Sequence, residues 1–142
     1  MASQKIQDFY ARYAGKNYDQ LCEDARKRLK IVHPYLVERV GEKNASTFLL
    51  YVLGILVGAD GRLAENELTF IREMVDASVT RQRIENLAYQ VSTPSYRATV
   101  DKIIDEFGPV LKMNLVMFCL CFLAVDGSID QREATYFEKL IQ

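Results

Sequence analysis

The chain has 142 residues, 49% of them hydrophobic and 26% charged, with a formal net charge of -1. That length buries a real core as one domain, residues 1–142, and the composition is that of an ordinary globular protein. The near-zero charge gives no bulk electrostatic case for a nucleic acid or an acidic membrane surface as partner.

Almost every segment carries the helical period. Ile6, Phe9, Tyr10 and Tyr13 make one face of a first helix, capped by Ser3 and stopped at Gly15. Asn17 or Asp19 opens the second, whose stripe is Leu21, Ala25, Leu29, Val32 and Leu36. Pro34 lies inside that pattern. It lacks a backbone donor and clashes with the carbonyl four residues back, so a kink or a break is expected there. Gly41 ends the segment.

Asn44 or Ser46 is the expected cap of the third helix, which runs through the apolar block Phe48 to Ala59. A helix apolar on nearly all sides has neighbours all round. Gly54 and Gly58 cost helix propensity but admit a second helix at close range. Asp60-Gly61 breaks the helix. A fourth helix follows from about Ala64 to Val75, and a fifth after Thr80, with Ile84, Leu87, Ala88 and Val91 inward. Thr93-Pro94 reads as a cap with proline at the first helical position, opening a sixth helix with the stripe Tyr96, Val100, Ile103 and Phe107. Pro109 to about Val125 is a second central helix, broken by Asp126-Gly127, and an eighth helix runs from Asp130 to the C-terminus.

No segment alternates with period two for more than a few residues. The fold class is therefore all-α, a single-domain bundle of seven to eight helices. The two long apolar runs fall short of the roughly 20 residues that cross a bilayer, so they are core helices and the protein is not itself transmembrane. The N-terminal stretch MASQKIQDFYARYAG is charged throughout and has no apolar core of a secretory signal. Cys119 and Cys121 point about 200° apart on a helix and do not bridge. With Cys22 they read as buried free thiols of a reducing, cytoplasmic compartment.

The stretch from Leu49 to Val75 recurs from Leu115 to Ile141. Leu49 pairs with Leu115, Asp60 with Asp126, Gly61 with Gly127, Glu67 with Glu133 and Thr69 with Thr135. Elsewhere apolar pairs with apolar, as in Leu63/Ile129, Phe70/Tyr136 and Met74/Leu140. This implies an internal pseudo-twofold repeat, with halves at about 44–76 and 109–142.

The shared unit DGx(L/I)xxxE has two readings. In the structural one, Gly61 and Gly127 end a helix in the left-handed region, and Leu63 and Ile129 staple the next helix. Asp130 to Glu133 then fits a capping box, whereas Ala64 leaves the first box half-built and Glu67 over. In the functional reading the carboxylates hold a cation. Asp, Gly, an aliphatic residue and Glu match the second half of a calcium-binding EF-hand loop. The first half fails, because Leu56, Gly58, Phe122 and Ala124 offer no side-chain oxygen. A different carboxylate site remains: Asp60, Glu67, Asp126, Asp130 and Glu133 form one acidic cluster if the copies face each other. All-oxygen ligands favour calcium, magnesium or manganese over zinc. No other cofactor is indicated.

Other chemistry is thin. The run Arg26-Lys27-Arg28-Leu29-Lys30 spreads round most of a helix and reads as a solvated face. His33 is the only histidine and reads as structural or surface. One histidine leaves no zinc ligand set, no Glu-x-x-His pair for a di-iron bundle and little room for a Ser-His or Cys-His centre. Tyr89, Tyr96 and Arg97 form no recognisable base-stacking platform.

Two copies of an apolar helix ending in Asp-Gly, followed by an aliphatic residue, a Glu and a second amphipathic helix, resemble the TerB-like family. That is the helical domain of tellurite-resistance TerB and of the N-terminal part of certain membrane-anchored DnaJ-type co-chaperones. The resemblance is densest at Gly58-Ala59-Asp60-Gly61 with Glu67, and at Ala124-Val125-Asp126-Gly127 with Glu133. With the flanking helices it covers residues 20–142. It implies a pseudo-symmetric helical bundle, a bacterial stress-response setting near membranes, and a metal at Asp60, Glu67, Asp126 and Glu133. Ala64 departs from the small polar cap usual in the family, and no J-domain follows. The expected function is a non-enzymatic interaction module with a protein partner or a membrane-associated complex. The alternative is a divalent-cation-binding carboxylate protein acting as sensor, store or hydrolase.

Overall fold

The structure is a computed structural model that describes residues 4–60, 63–126 and 135–136, without the side chains of residues 4–6, 9, 59, 60 and 126. Seven helices are defined among the described residues: α1 (Gln4–Ala11), α2 (Tyr18–Val40), α3 (Glu42–Asp60), α4 (Glu65–Met74), α5 (Arg81–Val91), α6 (Pro94–Asp105) and α7 (Pro109–Asp126). No strand occurs among the described residues, so the all-α expectation holds. The expected Ser3 cap, the Ile6 and Phe9 side chains, Gly61, Gly127 and the eighth helix beyond Thr135 and Tyr136 lie outside the described residues.

Helix α2 corrects one expectation. It runs 23 residues without a break at Pro34. Burial explains why. Leu21, Cys22, Ala25, Val32 and Leu36 are buried on both sides of the proline, so packing holds the helix through the one missing hydrogen bond. Asn17 opens it with a full capping box: the Asn17 side chain accepts from Gln20 N–H at 2.9 Å, and Gln20 Oε1 accepts from Asn17 N–H at 3.0 Å.

The start of α3 corrects another. Neither Asn44 nor Ser46 caps it, because α3 already begins at Glu42, one residue after Gly41. Gly41 has φ 91° and ψ 157°, a conformation open essentially to glycine alone. That turns the chain in a single residue. The Gly41 N–H donates to Val37 O and its carbonyl accepts from Ala45 N–H, each at 2.9 Å. Asn44, now inside the first turn of α3, donates back to Val40 O at 3.0 Å.

Helices α3 and α7 are the centre, as their composition predicts. From Asn114 to Leu123 every residue of α7 is buried. Helix α2 packs chiefly on α7, α3 on α5, and α4 on α7. The α3–α5 contact passes through Gly54: a Cβ there would lie 3.3 Å from Ala88 N and 3.4 Å from Ala88 Cα. On the other side, the Phe70 ring of α4 sits 5.9 Å from both Phe118 and Phe122 of α7, centroid to centroid. Arg39 forks onto Glu106 at 2.7 and 3.1 Å, joining the end of α2 to the end of α6. Cys22, Cys119 and Cys121 are buried free thiols, as expected.

Candidate functional site

The first candidate is the acidic turn. Asp60 and Asp126 are the last residues of α3 and α7, and their side chains lie outside the described residues, as do Asp130 and Glu133 altogether. Glu67 is therefore the member of the set whose side chain is described, and it is buried at 4% exposure, inward as expected. Its Oε1 accepts from Ala64 N–H at 2.9 Å. The reciprocal half of a capping box is thus made although Ala64 has no side-chain acceptor to complete it. Leu63 and Leu68, at the staple positions on either side, are both buried. Beside Glu67, Asn66 Nδ2 donates to Val125 O at 2.8 Å. That bond sets the N-terminus of α4 against the C-terminus of α7, next to Asp126. Arg81 closes the opposite side, donating to Leu63 O and to Glu65 Oε1, the latter at 2.6 Å. No group of three or more metal-ligating side chains converges among the described residues.

The second candidate is a groove of about 470 Å³ between α2, the start of α3 and the end of α4. Its floor is apolar: Leu29 and Pro34 from α2, Leu49 from α3, Met74 and Val75 from α4. Arg26, Lys30 and His33 line it from α2, and Ser46 from α3. No carboxylate lines it among the described residues. Residues 26, 30 and 33 step by four and three, which puts them on one side of the helix in a row about 10 Å long. Arg26 reaches Glu73 only at 4.0 Å, with both side chains largely in solvent. Such a pair contributes little and leaves the guanidinium recruitable.

No protein-family model, curated protein or solved structure matches the chain.

The solvated face expected over the run 26–30 fails at Arg28. It turns inward, donating to Asp24 Oδ2 at 3.3 Å and to Asn114 Oδ1 at 3.2 Å, while Tyr13 donates to the same Asp24 oxygen at 2.6 Å. Asp24 and Arg28, four apart on a helix, were the visible signal for this network. For the groove the signal was the row 26, 30, 33 beside the apolar pair 29 and 34. Tyr96 stacks on Tyr51 with ring centroids 5.8 Å apart, and Arg97 lies 4.8 Å over the Tyr136 ring. Neither contact builds a platform for bases. A second cleft of about 250 Å³ lies between α3 and α6, lined in part by Thr47, Tyr51, Tyr96 and Thr99, without a charged group. No helix of the described residues is long and apolar enough to cross a membrane.

Proposed function

We propose that this chain is a non-enzymatic, TerB-like helical interaction module that docks a protein partner in the cytoplasm, free or within a membrane-associated stress-response assembly such as tellurite resistance. The observation that carries the reading is the groove: an apolar floor open to solvent, with a charged edge of one sign. Occupied ligand clefts have this size and this mixture of apolar wall and few polar groups. The finer architecture belongs to the same proposal, an eight-helix bundle with halves at about 44–76 and 109–142. Two contacts support it. Phe70 packs on α7, while its repeat mate Tyr136 lines a cleft with Gly54, Ile55 and Gly58 of α3. Each second helix would then cross onto the first helix of the other half.

The test is site-specific photo-crosslinking in the native cells, with the reactive residue at Ser46 in the groove or at Lys102, an exposed position on α6. The reading expects one saturable protein adduct from Ser46 and none from Lys102, followed by reconstitution of the complex from purified components. Equal adducts from both positions, or none from Ser46, would overturn it.

A second reading is a divalent cation, calcium, magnesium or manganese, held by Asp60, Glu67, Asp126, Asp130 and Glu133. The Asn66 to Val125 hydrogen bond favours it, since it holds the N-terminus of α4, which carries Glu67, against the end of α7 beside Asp126. Titration calorimetry decides. Micromolar binding that Glu67→Gln plus Glu133→Gln abolishes supports the site. No heat with any of the three ions, and a melting temperature unchanged by a chelator, sinks it.

A further inference from the structure

We propose that the groove between α2, α3 and the end of α4 takes an acidic amphipathic helix of a partner protein, with its apolar stripe on Leu29, Pro34 and Met74 and its carboxylates along Arg26, Lys30 and His33. This rests on the docking-module reading and names the chemistry of the occupant.

Three features select a helix. The polar side chains of the edge are in a row rather than a cluster, Arg26, Lys30 and His33 spaced at four and three residues on α2, the first two of them cations. A partner helix lying along α2 presents side chains at the same period, so carboxylates at its own i, i+4 and i+7 positions when it runs parallel, or i, i+3 and i+7 when antiparallel, meet the row in register. The floor runs beside that row and is apolar along its length, from Leu29 and Pro34 through Leu49 to Met74 and Val75. An occupant must therefore carry an apolar face and an acidic face side by side, which is the definition of an acidic amphipathic helix. The site is also concave. Membrane-surface binding inserts protruding apolar side chains, whereas Leu49 in this floor is buried, which favours partner side chains entering the groove over lipid.

The charges fit this assignment. Lys30 has no ion-pair partner among the described residues, and Arg26 has only the long contact with Glu73. Neither cation is committed inside the protein, in contrast to Arg28 between them on the opposite side of α2, which is held by Asp24. Rim charges of this kind speed encounter and reject wrong partners more than they add affinity. Binding should therefore weaken steeply with salt and discriminate strongly by sign.

The experiment is a selection from a displayed library of amphipathic helices with a fixed apolar stripe and randomised flanking positions, on the intact chain. The expected result is enrichment of Asp and Glu at i, i+4 and i+7 or, for an antiparallel helix, at i, i+3 and i+7. Binding should fall about tenfold or more on Arg26→Glu plus Lys30→Glu, and return when the peptide carboxylates are exchanged for lysine. Both substitutions are at exposed positions, and circular dichroism melts confirm that the variants fold. Enrichment of uncharged or basic helices that compete for the same groove overturns the acidic assignment and leaves the docking reading standing. Failure of any helix to enrich overturns the helical occupant, whether or not the Ser46 adduct forms. Retention on phosphatidylglycerol vesicles, lost with the double charge reversal, assigns the edge to lipid and overturns the proposal.

Discussion

Tyr13 donates its hydroxyl proton to Asp24 Oδ2 at 2.6 Å, from the turn after α1 into the flank of α2. Its oxygen also lies 3.3 Å from the Met117 sulfur of α7, but the carboxylate is the stronger acceptor and takes the proton. Arg28 and Cys121 converge on the same carboxylate, at 3.3 and 3.5 Å. Arg28 continues to Asn114, which in turn donates to Val110 O at 2.8 Å. Three pieces of chain are thus joined through one partly buried carboxylate. Burial pushes the Asp24 carboxyl up, but the hydrogen bond from Tyr13, with the Arg28 charge and the remaining donors, outweighs it and holds the group below its ordinary range.

A lowered carboxylate stabilises the fold in one direction only. The contribution is complete above the unfolded value of about 3.9 and is lost as pH falls through the lower folded value. Asp24→Asn should therefore flatten the acid limb of the stability curve and cost about 1–3 kcal/mol at neutral pH. Tyr13→Phe should move the acid transition to higher pH by removing the shortest donor. Urea melts between pH 3 and pH 7 measure both. An acid limb identical in wild type and Asp24→Asn would show that other carboxylates control it.

The opposite end of the pH scale is governed by thiols. Burial pushes the Cys119 and Cys121 thiols well above the ordinary cysteine range, with Asp24 adding to the effect at Cys121. A raised folded value gives stability that is full below the unfolded value of about 8.5 and is lost progressively above it. The unfolded chain then ionises while the folded one does not. Stability should fall by up to about 1.4 kcal/mol per pH unit for each such thiol above that point. Cys119→Ala or Cys121→Ala should reduce the slope, and native thiol labelling at these positions should proceed only through unfolding. Rapid labelling of both in the native protein would contradict their burial.

What the sequence disclosed follows the range of the interaction. Helical period, the Asn17 cap and the glycine joints at Gly15 and Gly41 are local, and each is legible in a few residues. Gly54 was readable as a close-approach site because an isolated glycine in an apolar helix has few other uses. The inward turn of Arg28 was legible only as its four-residue spacing from Asp24, since its other partner Asn114 is on α7 and nothing within the run 26–30 separates a half-buried guanidinium from its solvated neighbours. The unbroken α2 was missed for a similar reason: burial on both sides of Pro34 is tertiary, and local propensity alone argues for a break. For the acidic turn, sequence placed Glu67 inward and noted the half-built box. It assigned that Glu a use beyond the cap, yet the reciprocal cap to Ala64 is itself formed. The link from Asn66 to Val125 joins segments far apart in the chain, and periodicity carries no such information.

Gly54 offers a test of the α3–α5 contact. A methyl group there meets backbone of Ala88 at 3.3–3.4 Å, so α5 must yield by a few tenths of an ångström. Against that, alanine in a helix gains about 1 kcal/mol over glycine. Gly54→Ala should be close to neutral. Gly54→Leu gains nearly the same propensity, but its larger side chain overpacks against backbone at about 1–3 kcal/mol or more, which outweighs it. Gly15 is different: a Cβ meets nothing there, but φ is 89°, so Gly15→Ala is destabilising through backbone strain alone. Thermal melts of the three variants separate packing from conformation. A Gly54→Leu variant as stable as wild type would mean that α5 does not sit against α3 as described.

The acidic turn yields the most discriminating set of variants. Ala64 has φ -73° and ψ 155°, the extended geometry of an N-cap, but contributes no side-chain acceptor. Ala64→Ser should complete the box and stabilise by about 1 kcal/mol. Glu67→Ala removes the carboxylate to which the Ala64 N–H donates and should cost about 1–3 kcal/mol. Glu67→Gln keeps a carbonyl oxygen in reach of that N–H while deleting the charge. If Glu67 is a cap alone, Glu67→Gln stays near wild type with or without added ions. If it also ligates a cation, the wild type gains stability as calcium, magnesium or manganese is added, in proportion to RT ln(1 + [L]/Kd), and Glu67→Gln loses that gain. Melting temperature against ion concentration, for these three variants and the wild type, therefore assigns Glu67 to one role or to both.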